Sequence, residues 1–173
     1  SKGHSFSTNS DTEVLLKSFM EYGEECLQRL NGFFAFCIYD KIGDSLFIAR
    51  DRYGIKPLHV YTDSNKIIWA SELKSILSFD VIKKLDYDSL GAYFKLNYIP
   101  KDMSILENVR KLLPGELMTI DSQGKVEIES YYRIHIDPKK YSSLSYEEAK
   151  KELDKNLRES VEKRLVSDVP LGS

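Results

Sequence analysis

Seven consecutive apolar residues, Phe33-Phe34-Ala35-Phe36-Cys37-Ile38-Tyr39, constrain this chain more than any other feature. The run is far shorter than the roughly 20 residues of a membrane-spanning helix. Because both parities are apolar, it reads as a strand covered on both faces. Asp40-Lys41-Ile42-Gly43-Asp44 is a hairpin-type loop, and residues 45–50 form the returning strand. Residues 58–61 and 66–70 predict a second hairpin across Thr62-Asp63-Ser64-Asn65. After the turn at Pro114-Gly115, residues 116–120 and 125–133 predict a third, about Asp121-Ser122-Gln123-Gly124. Strands paired by hairpins, with helices gathered outside, indicate an α+β layered sandwich of antiparallel sheets rather than a parallel doubly wound sheet.

The helices announce themselves by their ends. Ser10-Asp11-Thr12-Glu13 has the S-x-x-E form of a capping box. The helix that follows carries Leu15, Leu16, Phe19 and Met20 at helical spacing and stops at Gly23. Shorter helices are expected over residues 24–30 and 71–77, and a longer one over 86–96 that ends before Ile99-Pro100. Residues 104–113 read as irregular or briefly helical. Residues 134–144 suit a surface linker. From 145 to 165 an amphipathic helix has a second capping box, Ser145 with Glu148, and a stripe through Ala149, Leu153, Leu157, Val161 and Leu165.

Twenty-five Lys and Arg against 27 Asp and Glu are interspersed, giving a formal charge of −2. Without a clustered basic field, neither nucleic acid nor an anionic membrane is an expected partner. Cys26 and Cys37 lack a Cys-x-x-Cys spacing and read as buried thiols of a cytoplasmic protein. His4, His59 and His135 are scattered, and no metal site is expected. There is no G-x-S-x-G elbow, Walker loop or G-x-G-x-x-G signature. The start at Ser1 and the end at Val169-Pro170-Leu171-Gly172-Ser173 read as the edges of an internal fragment. From the residues alone, the expectation is an α+β domain, a linker and the first helix of something else.

Four segments carry a resemblance, and three more narrow it. Gly3-His4-Ser5-Phe6-Ser7-Thr8-Asn9-Ser10-Asp11-Thr12-Glu13 resembles the glutamine-binding segment of class II glutamine amidotransferases. Leu30-Asn31-Gly32, running on through Phe33 to Asp40, resembles their central strand. Ala49-Arg50-Asp51-Arg52-Tyr53-Gly54-Ile55-Lys56-Pro57-Leu58 is similar to their R-D-x-x-G-I-x-P-L signature, and Ala70-Ser71-Glu72-Leu73-Lys74-Ser75-Ile76 follows at the family's spacing. The tail Arg164-Leu165-Val166-Ser167-Asp168-Val169-Pro170-Leu171-Gly172-Ser173 resembles the lead-in to the pyrophosphate loop of glutamine-hydrolysing asparagine synthetases. Pro114-Gly115-Glu116 and Tyr131-Tyr132-Arg133 resemble that family's late strands.

The resemblance implies an αββα sandwich of the N-terminal-nucleophile hydrolase type over residues 1–133, lacking its first part. It implies a linker over 134–144 and, from 145 to 173, the start of an ATP pyrophosphatase-type α/β domain. For the intact protein it implies that glutamine is hydrolysed through a thioester. Aspartate, activated by ATP and Mg as β-aspartyl-AMP at a site outside this span, would then receive the ammonia. By itself Asp11 reads as part of a helix cap; the resemblance implies that its carboxylate holds the α-ammonium group of glutamine. No catalytic residue is expected here, because the family's nucleophile is an N-terminal Cys whose own amine acts as base. Arg50 and Asp51 are expected to fix their loop rather than clamp a phosphate. The span alone is expected to be inactive, and a homodimer is left open. The alternatives are a relative with another acceptor, β-lactam synthetase-like or polysaccharide-modifying, and a non-catalytic glutamine-binding or interaction domain.

Overall fold

A computed structural model describes residues 3, 5–141, 143–166, 169, 170 and 172. His4 and the tail positions Ser167, Asp168, Leu171 and Ser173 lie outside the described residues. The chain divides into two compact units, residues 1–133 and 134–173.

The first unit holds two antiparallel sheets. One contains β1 (Ala35–Asp40), β2 (Ser45–Arg50), β6 (Glu116–Ile120) and β7 (Val126–Ser130), in the order β1-β2-β6-β7. The other contains β3 (His59–Thr62), β4 (Ile67–Ala70) and β5 (Val109–Lys111), in the order β4-β3-β5. Ile48, Met118 and Ile120 from the first sheet pack against Val60 from the second, with Leu58 and Leu112 among them. The opposite face of the first sheet, through Phe47, Ala49 and Leu117, meets Phe19 of α1 (Asp11–Tyr22) and Cys26 and Leu27 of α2 (Cys26–Arg29). The outer face of the second sheet, through Tyr61 and Val109, is covered by Ile76 and Leu73 of α3 (Leu73–Ile76). Helix, sheet, sheet, helix: this is the αββα sandwich of antiparallel sheets.

The middle of the apolar run behaves as its two parities require, while its ends, Phe33 and Tyr39, stand exposed. Ala35 and Cys37 face the core between the sheets, while Phe34, Phe36 and Ile38 face the helices. Among the described residues, however, β1 lies at the edge of its sheet, not at the centre that the resemblance implies. β5 replaces part of the expected irregular stretch: residues 109–111 pair with β3, Tyr61 opposite Val109. α4 (Tyr87–Leu96) starts at Asp86, whose carboxylate accepts from Ser89 N–H at 2.6 Å, and ends on left-handed Asn97 at φ 59°.

In the second unit, α5 (Pro138–Tyr141) precedes α6 (Tyr146–Glu162). The Ser145–Glu148 capping box is closed in both directions. Leu153, Leu157 and Val161 stand exposed along one stripe of α6. No helix among the described residues is long and apolar enough to cross a membrane.

Candidate functional site

Ser10 has extended backbone angles, and its hydroxyl accepts from Thr12 N–H at 3.2 Å, capping α1. Asp11 and Glu13 therefore occupy the first helical turn, where the helix dipole favours negative charge. The expected capping box does not close here. The Glu13 carboxylate reaches past Ser10 and accepts from the N–H groups of Ser7 at 3.0 Å and Thr8 at 2.7 Å, and from the Thr8 hydroxyl at 2.6 Å. These bonds favour the ionised form and bring its pKa to about 2, the Thr8 hydroxyl contributing most. An S-x-x-E sequence allows either arrangement. Here the preceding loop folds back and offers more donors than the single N–H of the cap.

Beside this helix start lies a cavity of about 500 Å³, within the range usual for small-molecule sites. Asp11, Thr12, Val14 and Leu15 of α1 form one wall; residues 30–36, leading into β1, form another; Lys56 and Ser71 complete it. Asp11 and Lys56 are the charged side chains on that wall, and the remainder is mostly apolar. Asp11 is exposed, with the Thr12 hydroxyl donating to its carboxylate at 3.5 Å.

The loop after β2 holds residues 30–36 and Lys56 in place. The Asp51 carboxylate is almost fully buried and accepts from the N–H groups of Tyr53, Ile55 and Lys56 at 2.9–3.1 Å. Burial pushes its pKa up, but the backbone donors outweigh this and leave it below the usual carboxylate range. Its own N–H donates to Phe34 O at 2.8 Å, tying the loop to the cavity wall. The Arg50 guanidinium donates to the carbonyls of Lys56, Gly54 and Leu112. Arg52 donates to those of Leu30, Leu27 and Gln28 at the end of α2. Every one of these contacts is with the protein's own backbone, so the Arg50-Asp51-Arg52 charges organise the loop. Gly54, at φ 64°, lies so close to Arg50 and Pro114 that a Cβ would meet the Pro114 ring at 2.7 Å.

Cys26 is buried and Cys37 half-buried; burial raises the pKa of both thiols, Cys37 to about 11. Neither is poised to ionise as a nucleophile. His59 lies with Nδ1 3.3 Å from Ser71 O, and burial lowers its pKa. Among the described residues, no group of three or more His, Cys, Asp or Glu could hold a metal ion. The structure thus gathers Asp11 with Asn31, Lys56 and Ser71, three residues that sequence reasoning did not single out. Each belongs to a segment that it did.

Residues 1–132 match the glutamine amidotransferase domain family. Over 99% of its length the chain is 36% identical to asparagine synthetase [glutamine-hydrolyzing] 1 of Bacillus subtilis. Over 96% it is 39% identical to putative asparagine synthetase [glutamine-hydrolyzing] 2 of Methanocaldococcus jannaschii. It spans only 27% and 32% of those two proteins. Among solved structures it shares its fold with the glutamine phosphoribosylpyrophosphate amidotransferase from B. subtilis. That match has a TM-score of 0.53 and 23% identity, over 77% of this chain and 25% of that one. With a domain match over most of its length and antiparallel sheets layered between helices, the chain belongs to the glutamine amidotransferase domain family.

Proposed function

We propose that the cavity beside α1 is a glutamine site and that the intact protein is a glutamine-hydrolysing asparagine synthetase. One observation carries the reading: a single cavity takes wall residues from all four segments that resemble class II amidotransferases, Asp11, residues 30–36, Lys56 and Ser71. The fold packs these segments together although up to 60 positions separate them in the chain, but packing alone does not require an exposed acid on the wall of an otherwise mostly apolar cavity. Recognition of a small zwitterion accounts for that combination. In this reading the Asp11 carboxylate receives the α-ammonium group of glutamine. The apolar wall along residues 33–36 lies beside the substrate's methylenes.

On the same reading, residues 1–133 are the greater part of the amidotransferase domain, 134–144 a connection, and 145–173 the beginning of the synthetase domain. The modest share of the relatives' length that the chain spans supports this division. The intact protein hydrolyses glutamine through a γ-glutamyl thioester on a cysteine outside this span. The ammonia released attacks β-aspartyl-AMP, yielding asparagine and AMP, pyrophosphate having left when the adenylate formed. Neither Mg nor ATP is assigned to residues of this chain. Taken alone, the span has no glutaminase activity on this reading, because the nucleophile lies outside it and its own two thiols are buried or half-buried in the fold.

Isotope transfer tests the assignment. Given amide-15N glutamine, aspartate and Mg-ATP, the intact protein is expected to place 15N in the side-chain amide of asparagine. Release of 15N ammonia with no labelled asparagine would point to another acceptor and overturn the synthetase reading.

A further inference from the structure

The Glu13 carboxylate binds the chain that precedes its helix. It accepts from Ser7 N–H, with oxygens at 3.0 and 3.2 Å, from the Ser7 hydroxyl at 3.2 Å, and from both the N–H and the hydroxyl of Thr8. The Thr8 hydroxyl oxygen in turn accepts from Ser10 N–H at 3.2 Å, and the Ser10 hydroxyl from Thr12 N–H. Residues 7, 8, 10, 12 and 13 are thus joined in one network. Asp11 sits inside it in sequence, yet among the described residues its carboxylate meets only the neighbouring Thr12 hydroxyl, at the 3.5 Å limit of a hydrogen bond. That carboxylate lines the cavity.

A Ser/Thr/Asn-rich segment exposed to water has little packing to order it. Without the clamp, residues 7–10 would fluctuate, Ser10 would lose its register as a cap, and the first turn of α1 would fray. A ligand binding to Asp11 would then have to supply the ordering.

We propose that Glu13 is a positioning residue for the ligand carboxylate: by pinning Ser7 and Thr8 to the first turn of α1, it fixes how Asp11 enters the cavity. The proposal rests on Asp11 being the ammonium contact for glutamine. Glu13 touches no ligand itself; it acts through the loop and the helix start.

The test is steady-state glutamine kinetics in the intact protein. Glu13→Gln preserves shape but presents an amide to N–H donors. It is expected to raise the glutamine KM about tenfold while kcat changes less than about threefold. Thr8→Val removes one hydroxyl of the clamp and is expected to raise KM in the same direction. The double variant should be no worse than Glu13→Gln alone, since both act on one network. A KM within about twofold of wild type in Glu13→Gln, with Asp11→Ala raising it, overturns the inference and leaves the Asp11 reading standing. If Asp11→Ala also leaves KM unchanged, both fall. A loss in kcat and thermal stability without a change in KM would mark a purely structural role and also overturn it. Should Glu13→Gln fail to fold, Thr8→Val decides by the same KM criterion.

Discussion

Asp51 is the residue on which the cavity's support converges. Its carboxylate is 1% exposed and takes three backbone N–H groups of its own loop, while its main chain holds Phe34 and Gly115. A buried acceptor with this many donors is costly to replace, because each donor is left without water. Asp51→Asn forces an amide N–H₂ against one or more of those donors. It is expected to lower stability by roughly 1–3 kcal/mol, read from the urea midpoint at unchanged m-value. The pH dependence has a definite sign. The folded pKa lies below the unfolded one, so the stabilisation is present above an unfolded pKa near ~3.9 and is lost as pH falls through the lower, folded value. At this scale the sequence was legible in kind but not in partner. The R-D-x-x-G pattern correctly suggested a loop fixed by its own charges. Nothing in S-x-x-E distinguished a Glu13 that returns to Ser10 from one that reaches Ser7 and Thr8, because the choice depends on how the preceding loop folds.

Among the elements, the corner between β5 and β6 shows how tightly the sheets are joined to the loop after β2. Gly115 has φ 70°, and a Cβ there would sit 2.6 Å from the Tyr132 carbonyl oxygen. Its N–H donates to Asp51 O, and its carbonyl accepts from Tyr131 and Tyr132 N–H. Gly115→Ala therefore combines a left-handed backbone with a clash against fixed main chain. It is expected to cost about 2–4 kcal/mol in chemical denaturation; a loss under about 0.5 kcal/mol would show that the corner can relax. The hairpins β1–β2, β3–β4 and β6–β7 were legible because alternation or a continuous apolar run was bounded by turn residues. β5 was not. Val109-Arg110-Lys111 is three residues long with one apolar side chain, and only its pairing with β3 makes it a strand. The place of β1 at the sheet edge among the described residues was equally hidden, since an apolar pattern reports which faces are covered and not which edge is paired.

At the scale of the whole molecule, four separated segments converge on one cavity in the first unit, and an acid at the start of a helix marks its rim. The amidotransferase fold follows from the layered sheets and the family match. The glutamine reading follows from what the cavity wall contains. It makes Asp11 responsible for binding one substrate and for nothing in the activation of the other. The most direct test is therefore the glutamine KM of Asp11→Ala in the intact protein, measured beside the same reaction driven by added ammonia. The account predicts a glutamine KM raised at least about tenfold, through loss of an ion pair with the substrate ammonium, and continued asparagine synthesis from ammonia. An unchanged glutamine KM in a folded variant would contradict it.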